Sequence, residues 1–325
     1  MCLEEKKRDH HYVFQAYLKK WANNNEKIWC LRDGKPFEVS PRNIAFEKDF
    51  YRISSLNDKE IEFIRLFFRK TSDSFKKELE NFIKLYTTFD RNEKLFKVLR
   101  AMLPIDCSEA DEAMEEIDSM LDIARNNILE DTYCLFEGES IPWLTSLCNQ
   151  DTSFFYNGKD DQRERFVNFV CMQYYRTAGI KENTMRVLKE AEEYFVNPQF
   201  PKGCIKADNL YLPMLWLISA QCSDVLLKAP LTLLINKSNV PFITSDQPVI
   251  NTKADYSDLS KEITELVFYY PISPQIAILL NDSVCGDKVE LTTDDEVTEY
   301  NDLIFKASKK MIFSNVPDVL ERYKK

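Results

Sequence analysis

Glycine is scarce, with six in 325 residues, where average usage is about 7%. None of the six builds a G-x-G or Walker-type loop, so the common backbone cradles for nucleotide phosphates are excluded. There are two histidines, adjacent at His10 and His11, and none of the nine cysteines forms a C-x-x-C pair. Those spacings exclude the usual structural zinc sites. An odd, scattered cysteine set also argues against a disulfide framework. Cys171 and Cys222 lie among apolar residues and read as small core residues. No apolar run reaches the length of a membrane span, so no transmembrane helix is expected. The opening stretch, MCLEEKKRDHH, has no apolar signal-like core, and the cytoplasm is the expected location. Forty-three basic against fifty-three acidic residues give a net charge of −10. A broad nucleic-acid surface is therefore not expected, whereas a local basic groove is compatible with the count.

Apolar residues make up 44% and charged residues 30%, enough for a sizeable core in one large domain or in two packed lobes. Residues 57–227 read as mainly helical, and residues 228–325 as mainly β followed by helix. The expected class is α+β: mostly helical, with an N-terminal β-hairpin and a C-terminal mixed or antiparallel sheet. Phe14, Leu18 and Trp21 predict a helix over His11–Trp21. Asp33-Gly34 between Lys27–Arg32 and Pro36–Val39 predicts the hairpin. Helical periodicity runs over 58–88, 93–102, 109–129, 142–147, 160–195, with a break near Gly179, and 210–227. The carboxylate-rich 109–129 stretch reads as a solvated helix face. After Pro230, β-like runs occupy 231–236, 241–244, 265–270 and 276–281, with an edge strand at 288–292. Thr293–Ser308 returns to helix behind a threonine cap, and 310–313 reads as a last strand.

Four motifs turn polar side chains toward the apolar side of their elements. On the expected first helix, His11 and Gln15 share a face, and imidazole suits proton transfer near neutral pH. In Glu47-Lys-Asp49-Phe-Tyr51, an extended chain places Glu47 and Asp49 on one face, where they would orient a histidine, act as a base or hold a metal. Phe166, Phe169, Val170 and Gln173 recur at i, i+3, i+4 and i+7, with Arg176 one turn on. A guanidinium there suits a phosphate or carboxylate, or a buried acidic partner from Glu47, Asp49 or Asp246. In Thr244-Ser245-Asp246-Gln247-Pro248 a β-run enters a polar turn, a favoured position for a site. Each motif also admits a purely structural reading: a bonded histidine, a solvated strand, a buried ion pair and a self-bonded turn. Ser245 has no G-x-S-x-G around it, so a hydrolase elbow is not indicated.

In this order the motifs resemble a prokaryotic family designated domain of unknown function 4238. Its H-x-x-P-Q-x-Y-L-like box reads here His11-Tyr-Val-Phe14-Gln15-Ala-Tyr17-Leu18, with phenylalanine where proline is common. The box around Asn43-Ile-Ala45-Phe-Glu47-Lys-Asp49-Phe50-Tyr51, the pair Gln173 and Arg176-Thr177, and Thr244-Ser245-Asp246-Gln247-Pro248 follow. Pro271-Ile272-Ser273-Pro274 and Asn301 complete the likeness, which spans most of the chain except 57–140. The resemblance implies a prokaryotic or prophage origin and an association with defence against bacteriophage. It supplies no catalytic mechanism.

Taken together, these readings lead to the expectation of an anti-phage effector, nuclease-like or hydrolytic, acting on a phosphodiester or nucleotide-type substrate. His11, Glu47 and Asp246 would be catalytic, and Gln15, Gln173, Arg176, Thr244 and Ser245 would bind substrate. A metal-dependent version would use Mg²⁺ or Mn²⁺ on Glu47, Asp49 and Asp246. No structural zinc and no membrane partner are expected. The alternatives are a non-catalytic sensor of a phage component or small anionic ligand, and a purely structural use of the four motifs.

Overall fold

The computed structural model describes residues 5–103, 108–158, 160–258, 261, 263–281 and 287–324. Cys2, Cys107 and Cys285 lie outside them. In chain order, β1 (Asp9–His11), α1 (Gln15–Leu18), β2 (Ile28–Arg32), β3 (Lys35–Val39) and β4 (Phe46–Lys48) come first. Then follow α2 (Asp58–Phe67), α3 (Asp73–Tyr86), α4 (Thr88–Ala101), α5 (Ser108–Cys148) and α6 (Ser153–Tyr156). Helices α7 (Asp160–Tyr175), α8 (Ala178–Tyr194) and α9 (Ala207–Leu226) lead to β5 (Leu231–Asn236), β6 (Thr244–Ser245) and β7 (Ile250–Asn251). Strands β8 (Phe268–Ser273), β9 (Ile276–Leu280) and β10 (Lys288–Leu291), then α10 (Asp294–Ala307), β11 (Met311–Ser314) and α11 (Asp318–Glu321), end the path. The class is α+β. No helix among the described residues is long and apolar enough to cross a membrane.

The chain divides into two compact units that do not follow the compositional change near Pro230. One, built from Met1–His10, Glu47–Cys134 and Asn183–Leu217, is the helical unit. The other, built from His11–Phe46, Leu135–Glu182 and Ile218–Lys325, carries both larger sheets.

In the helical unit, Asn57 caps α2 in a reciprocal box with Glu60, which satisfies amides that have no partner inside the helix. The helical pattern expected over 58–88 is two helices. Ser72 takes the Phe75 amide and restarts the helix as α3, because a short hydroxyl side chain competes with the helical backbone. Phe75, Leu79, Ile83 and Tyr86 form the buried stripe of α3. The acidic stretch is longer than its expected helix: α5 continues to Cys148 and absorbs the segment 142–147.

In the sheet-bearing unit, β10, β5, β9, β8 and β7 form a mixed sheet, with β10 parallel to β5 and the other pairs antiparallel. A second sheet has the order β3-β2-β11-β6. The early hairpin thus pairs with the last strand, in the register Met311 to Arg32 and Ser314 to Trp29. Asp33 and Gly34 both have positive φ, 52° and 71°, the conformation a two-residue hairpin turn requires. Leu234, Ile243, Ile250, Leu279, Ile312 and the Val297 and Ile304 stripe of α10 pack in one apolar cluster. Thr293 caps α10 reciprocally with Glu296.

Two local expectations change. The first helix begins at Gln15, because the Tyr12 and Val13 amides instead bond the Ala45 carbonyl at 3.0 and 3.5 Å. His11 is therefore the end of a strand. The alternation expected over Glu47–Tyr51 also fails: Ala45 and Asp49 adopt φ of 56° and 53° and confine β4 to three residues. Such left-handed turns are uncommon outside glycine and rotate Tyr51 into the core while Glu47 stays exposed.

Candidate functional site

Helix α7 brings its apolar stripe, Phe166, Phe169 and Val170, into the sheet-bearing unit, all fully buried. Phe169 meets Phe14 edge-on, with ring centres 5.9 Å apart, and tilts against Tyr270 at 6.4 Å. Tyr17 stacks on Tyr270 at 5.1 Å. The Tyr17 hydroxyl donates to the Pro271 carbonyl and shares a bond with the Thr244 hydroxyl, both 2.7 Å. The first, third and fourth motifs and the Pro271–Pro274 segment therefore meet around one aromatic cluster.

Gln173 continues the stripe at 1% exposure. Neither atom of its side-chain amide has a hydrogen-bond partner among the described residues, and the Tyr269 and Tyr270 hydroxyls are likewise unmet. Native interiors rarely leave such groups unpaired, because an unmet polar atom retains its full desolvation cost. One turn on, the Arg176 side chain is 1% exposed and bonds Glu137 at 2.5 Å. Its other terminal nitrogen donates to the His11 carbonyl. Burial pushes the Glu137 carboxyl above its usual range, and Arg176 opposes that shift. The expected partners of Arg176 were Glu47, Asp49 or Asp246; the structure supplies Glu137 from α5. Its signal lies in spacing: Tyr133, Glu137, Ser140, Leu144 and Leu147 recur at helical intervals on one stripe, and the other four are buried. The helix was expected to end at 129, so Glu137 lay outside every expected element and its stripe went unread.

His11 and Gln15 are half-buried. His11 Nε2 lies 3.1 Å from the Arg42 carbonyl and 3.4 Å from Gln15 Nε2. The carbonyl demands a proton on that nitrogen and the amide demands a lone pair there, so the tautomer decides which bond forms. The neighbouring His10 is fully buried in the helical unit. Its Nδ1 accepts the Tyr51 amide at 2.9 Å, and its Nε2 lies 2.8 Å from the Lys7 carbonyl. Burial lowers its pKa, as suits a neutral ring locked by two backbone bonds. Glu47 also belongs to the helical unit, exposed on β4. Asp49 pairs there with Arg8 at 2.7 Å.

The Thr244–Pro248 turn is held by its own polar groups. Asp246 Oδ1 accepts the Lys309 amide at 2.8 Å, and Oδ2 accepts those of Lys310 and Met311 at 2.7 and 3.1 Å. Burial raises the Asp246 pKa to about 6 despite these three donors. The Ser245 hydroxyl closes the turn through the Gln247 amide at 3.0 Å. Gln247 accepts from the Thr177 hydroxyl and donates to the Tyr174 and Val249 carbonyls at 3.0 and 2.8 Å. It thereby satisfies a carbonyl at the C-terminus of α7, which has no partner within the helix. Asn301 accepts the Ile243 amide at 2.9 Å and donates to the Pro241 carbonyl at 2.9 Å. Gln247 was not singled out from sequence, because two of its partners, the Thr177 hydroxyl and the Tyr174 carbonyl, are 70 and 73 residues away.

Within one unit, then, the structure collects His11, Gln15, Gln173, Arg176 and Thr244, adds Glu137 and Tyr270, and places Ser245 and Asp246 in the supporting turn. Among the described residues no group of three or more His, Cys, Asp or Glu stands together as a metal site. A family model described as "Protein of unknown function (DUF4238)" matches residues 9–318. No curated protein and no solved structure matches the chain.

Proposed function

The chain belongs to the DUF4238 family, and from that premise we propose that it is a defence protein that binds a small anionic ligand of nucleotide or phosphodiester type. The ligand is read by the Gln173–Arg176 face of α7. Defence against bacteriophage is what the sequence resemblance implies. The ligand class comes from the side chains: a planar guanidinium suited to phosphate oxygens and an amide offering one donor group and one acceptor.

The observation that carries the reading is Gln173 itself. Leucine or methionine would fill its place without the cost of an unmet amide, about 1–3 kcal/mol. A residue that costs stability where it sits points to a task outside folding. Arg176 adds to this, because its acidic partner Glu137 is held in a form that burial disfavours. An anionic ligand could therefore displace that carboxylate at lower cost.

A nuclease-like or hydrolytic version has one observation in its favour. His11 is half-buried, its own carbonyl is held by Arg176, and its Nε2 is poised between two partners. In that version His11 moves the proton, and Asp246 acts at a distance by holding the turn that carries Thr244.

Gln173→Leu tests the binding reading. It is expected to raise the unfolding free energy by about 1–3 kcal/mol, a melting shift of a few degrees, while protection in a phage plaque assay is lost. A more stable variant with full protection would remove Gln173 from the site. A less stable variant would show that the amide serves the fold through a buried water.

A further inference from the structure

We propose that the helical unit holds an anion site of its own, a cleft that takes a small phosphate-bearing ligand between Lys94 on α4 and Lys206 before α9. It does not depend on the reading of Gln173 and Arg176, which belong to the other unit. The cleft has a volume of about 450 Å³, and its lining includes Ser55, Asn57, Lys94 and Lys206. That size falls within the range of small-molecule sites, roughly 300–1,000 Å³.

The charge of the cleft follows from which groups are already paired. Three carboxylates line it, from Glu60, Asp90 and Glu93. Glu60 accepts the Asn57 and Lys206 backbone amides at 2.8 and 3.1 Å and the Asn209 side chain at 2.9 Å. Asp90 accepts the Ser55 hydroxyl at 2.6 Å and Arg125 at 2.7 Å. Glu93 is held by Lys97 at 2.5 Å and by Arg125 at 3.0 Å. The ammonium groups of Lys94 and Lys206 have no ion pair or hydrogen bond among the described residues. Asp90 and Glu93 are offset by Arg125 and Lys97, and the charge of Glu60, held by neutral amides, is outweighed by Lys94 and Lys206. The charge left over in the cleft is positive, in a chain whose net charge is −10.

Two flexible point charges facing one cleft suit a phosphate, which accepts lysine donors from several directions. A metal ion would find each carboxylate already engaged by hydrogen bonds or ion pairs. A long nucleic acid would meet the acidic first half of α5, with Glu109, Asp111, Glu112, Glu115 and Glu116 in sequence, and be repelled. A compact ligand avoids that surface.

Calorimetric titration of the full chain at low salt, with pyrophosphate and adenosine monophosphate as probes, tests the site. Saturable binding is expected for at least one probe. Lys94→Gln and Lys206→Gln should each weaken it roughly tenfold, the value of one charge-assisted hydrogen bond. The doubly substituted Lys94→Arg, Lys206→Arg chain should still bind. Circular dichroism confirms that each variant is folded. The proposal is overturned if neither probe binds saturably, or if the double glutamine variant binds unchanged. Succinate binding as tightly as pyrophosphate would overturn the phosphate assignment.

Discussion

Glu137→Met is expected to destabilise the protein by about 3–5 kcal/mol, the cost of leaving one member of a buried ion pair without its partner. The two partners are not equivalent. Without Glu137, the Arg176 guanidinium stays charged at any accessible pH and keeps its bond to the His11 carbonyl but loses this carboxylate. Without Arg176, Glu137 can take a proton and become neutral. Arg176→Met should therefore cost less than Glu137→Met at mildly acidic pH. Its deficit should grow as pH rises, because a carboxyl whose folded pKa lies above its unfolded value loses stability as pH climbs through the folded value. The pair Glu137→Met with Arg176→Met should be more stable than Glu137→Met alone, since apolar residues of similar volume often replace a buried pair at little cost. Urea unfolding of the three variants at pH 5 and pH 7.5 measures all of this. Equal deficits at both pH values in Arg176→Met would show that Glu137 does not titrate there.

Arg176→Lys separates folding from recognition. Lysine keeps the charge but not the planar fork that spans Glu137 and the His11 carbonyl. If Arg176 serves a ligand, protection should disappear while the melting temperature moves only a few degrees. A joint fall in both would assign Arg176 to the fold.

Asp246→Asn is the second large effect. The carboxylate accepts three consecutive amides, from Lys309, Lys310 and Met311. Asparagine offers one oxygen and turns its amino group toward at least one of those N–H donors. A loss of about 2–4 kcal/mol is expected, from hydrogen bonds to a charged acceptor and a buried donor left unmet. The pH dependence follows from the raised pKa, about 6. The folded state binds this proton more tightly than the unfolded chain does. The contribution of Asp246 is therefore fully present below about pH 4 and falls by roughly 3 kcal/mol as pH rises through 6. The variant lacks this titration. The stability gap between parent and Asp246→Asn should thus be wider at pH 4.5 than at pH 7.5, as paired denaturation curves would show. A gap that widens with rising pH would mean the three amides outweigh burial and the carboxyl pKa is depressed.

Local chemistry was legible where neighbours in sequence are also neighbours in space. Asp33-Gly34 marked the hairpin because only that turn suits two positive φ values in succession. Thr293 marked the start of α10 because its hydroxyl meets an amide three residues on. The stripe through Phe166, Phe169, Val170 and Gln173 showed that a polar amide faces the core, since helical spacing alone determines which side chains share a face. In the same way, the spacing of Arg176 from Gln173 showed that a guanidinium would be buried and would need an acid or an anionic ligand.

Which acid it would be was decided by the tertiary structure. Glu137 lies 39 residues from Arg176, on a helix whose other carboxylates are mostly exposed, and composition does not distinguish the acid that meets Arg176 from the solvated ones. The same holds for the early hairpin. Its sequence specified two strands and their turn, but its outer neighbour is β11, near the other end of the chain, because strand pairing bonds backbone to backbone and leaves little trace in side chains. Asp246 read as a catalytic carboxylate, since an inward acid in a polar turn looks the same whether it meets a substrate or three amides from residues 309–311. Sequence determined that Gln173 and Arg176 turn inward; only the fold decided that Glu47 stays exposed, that Asp246 and Asn301 are met by backbone and that the amide of Gln173 is not.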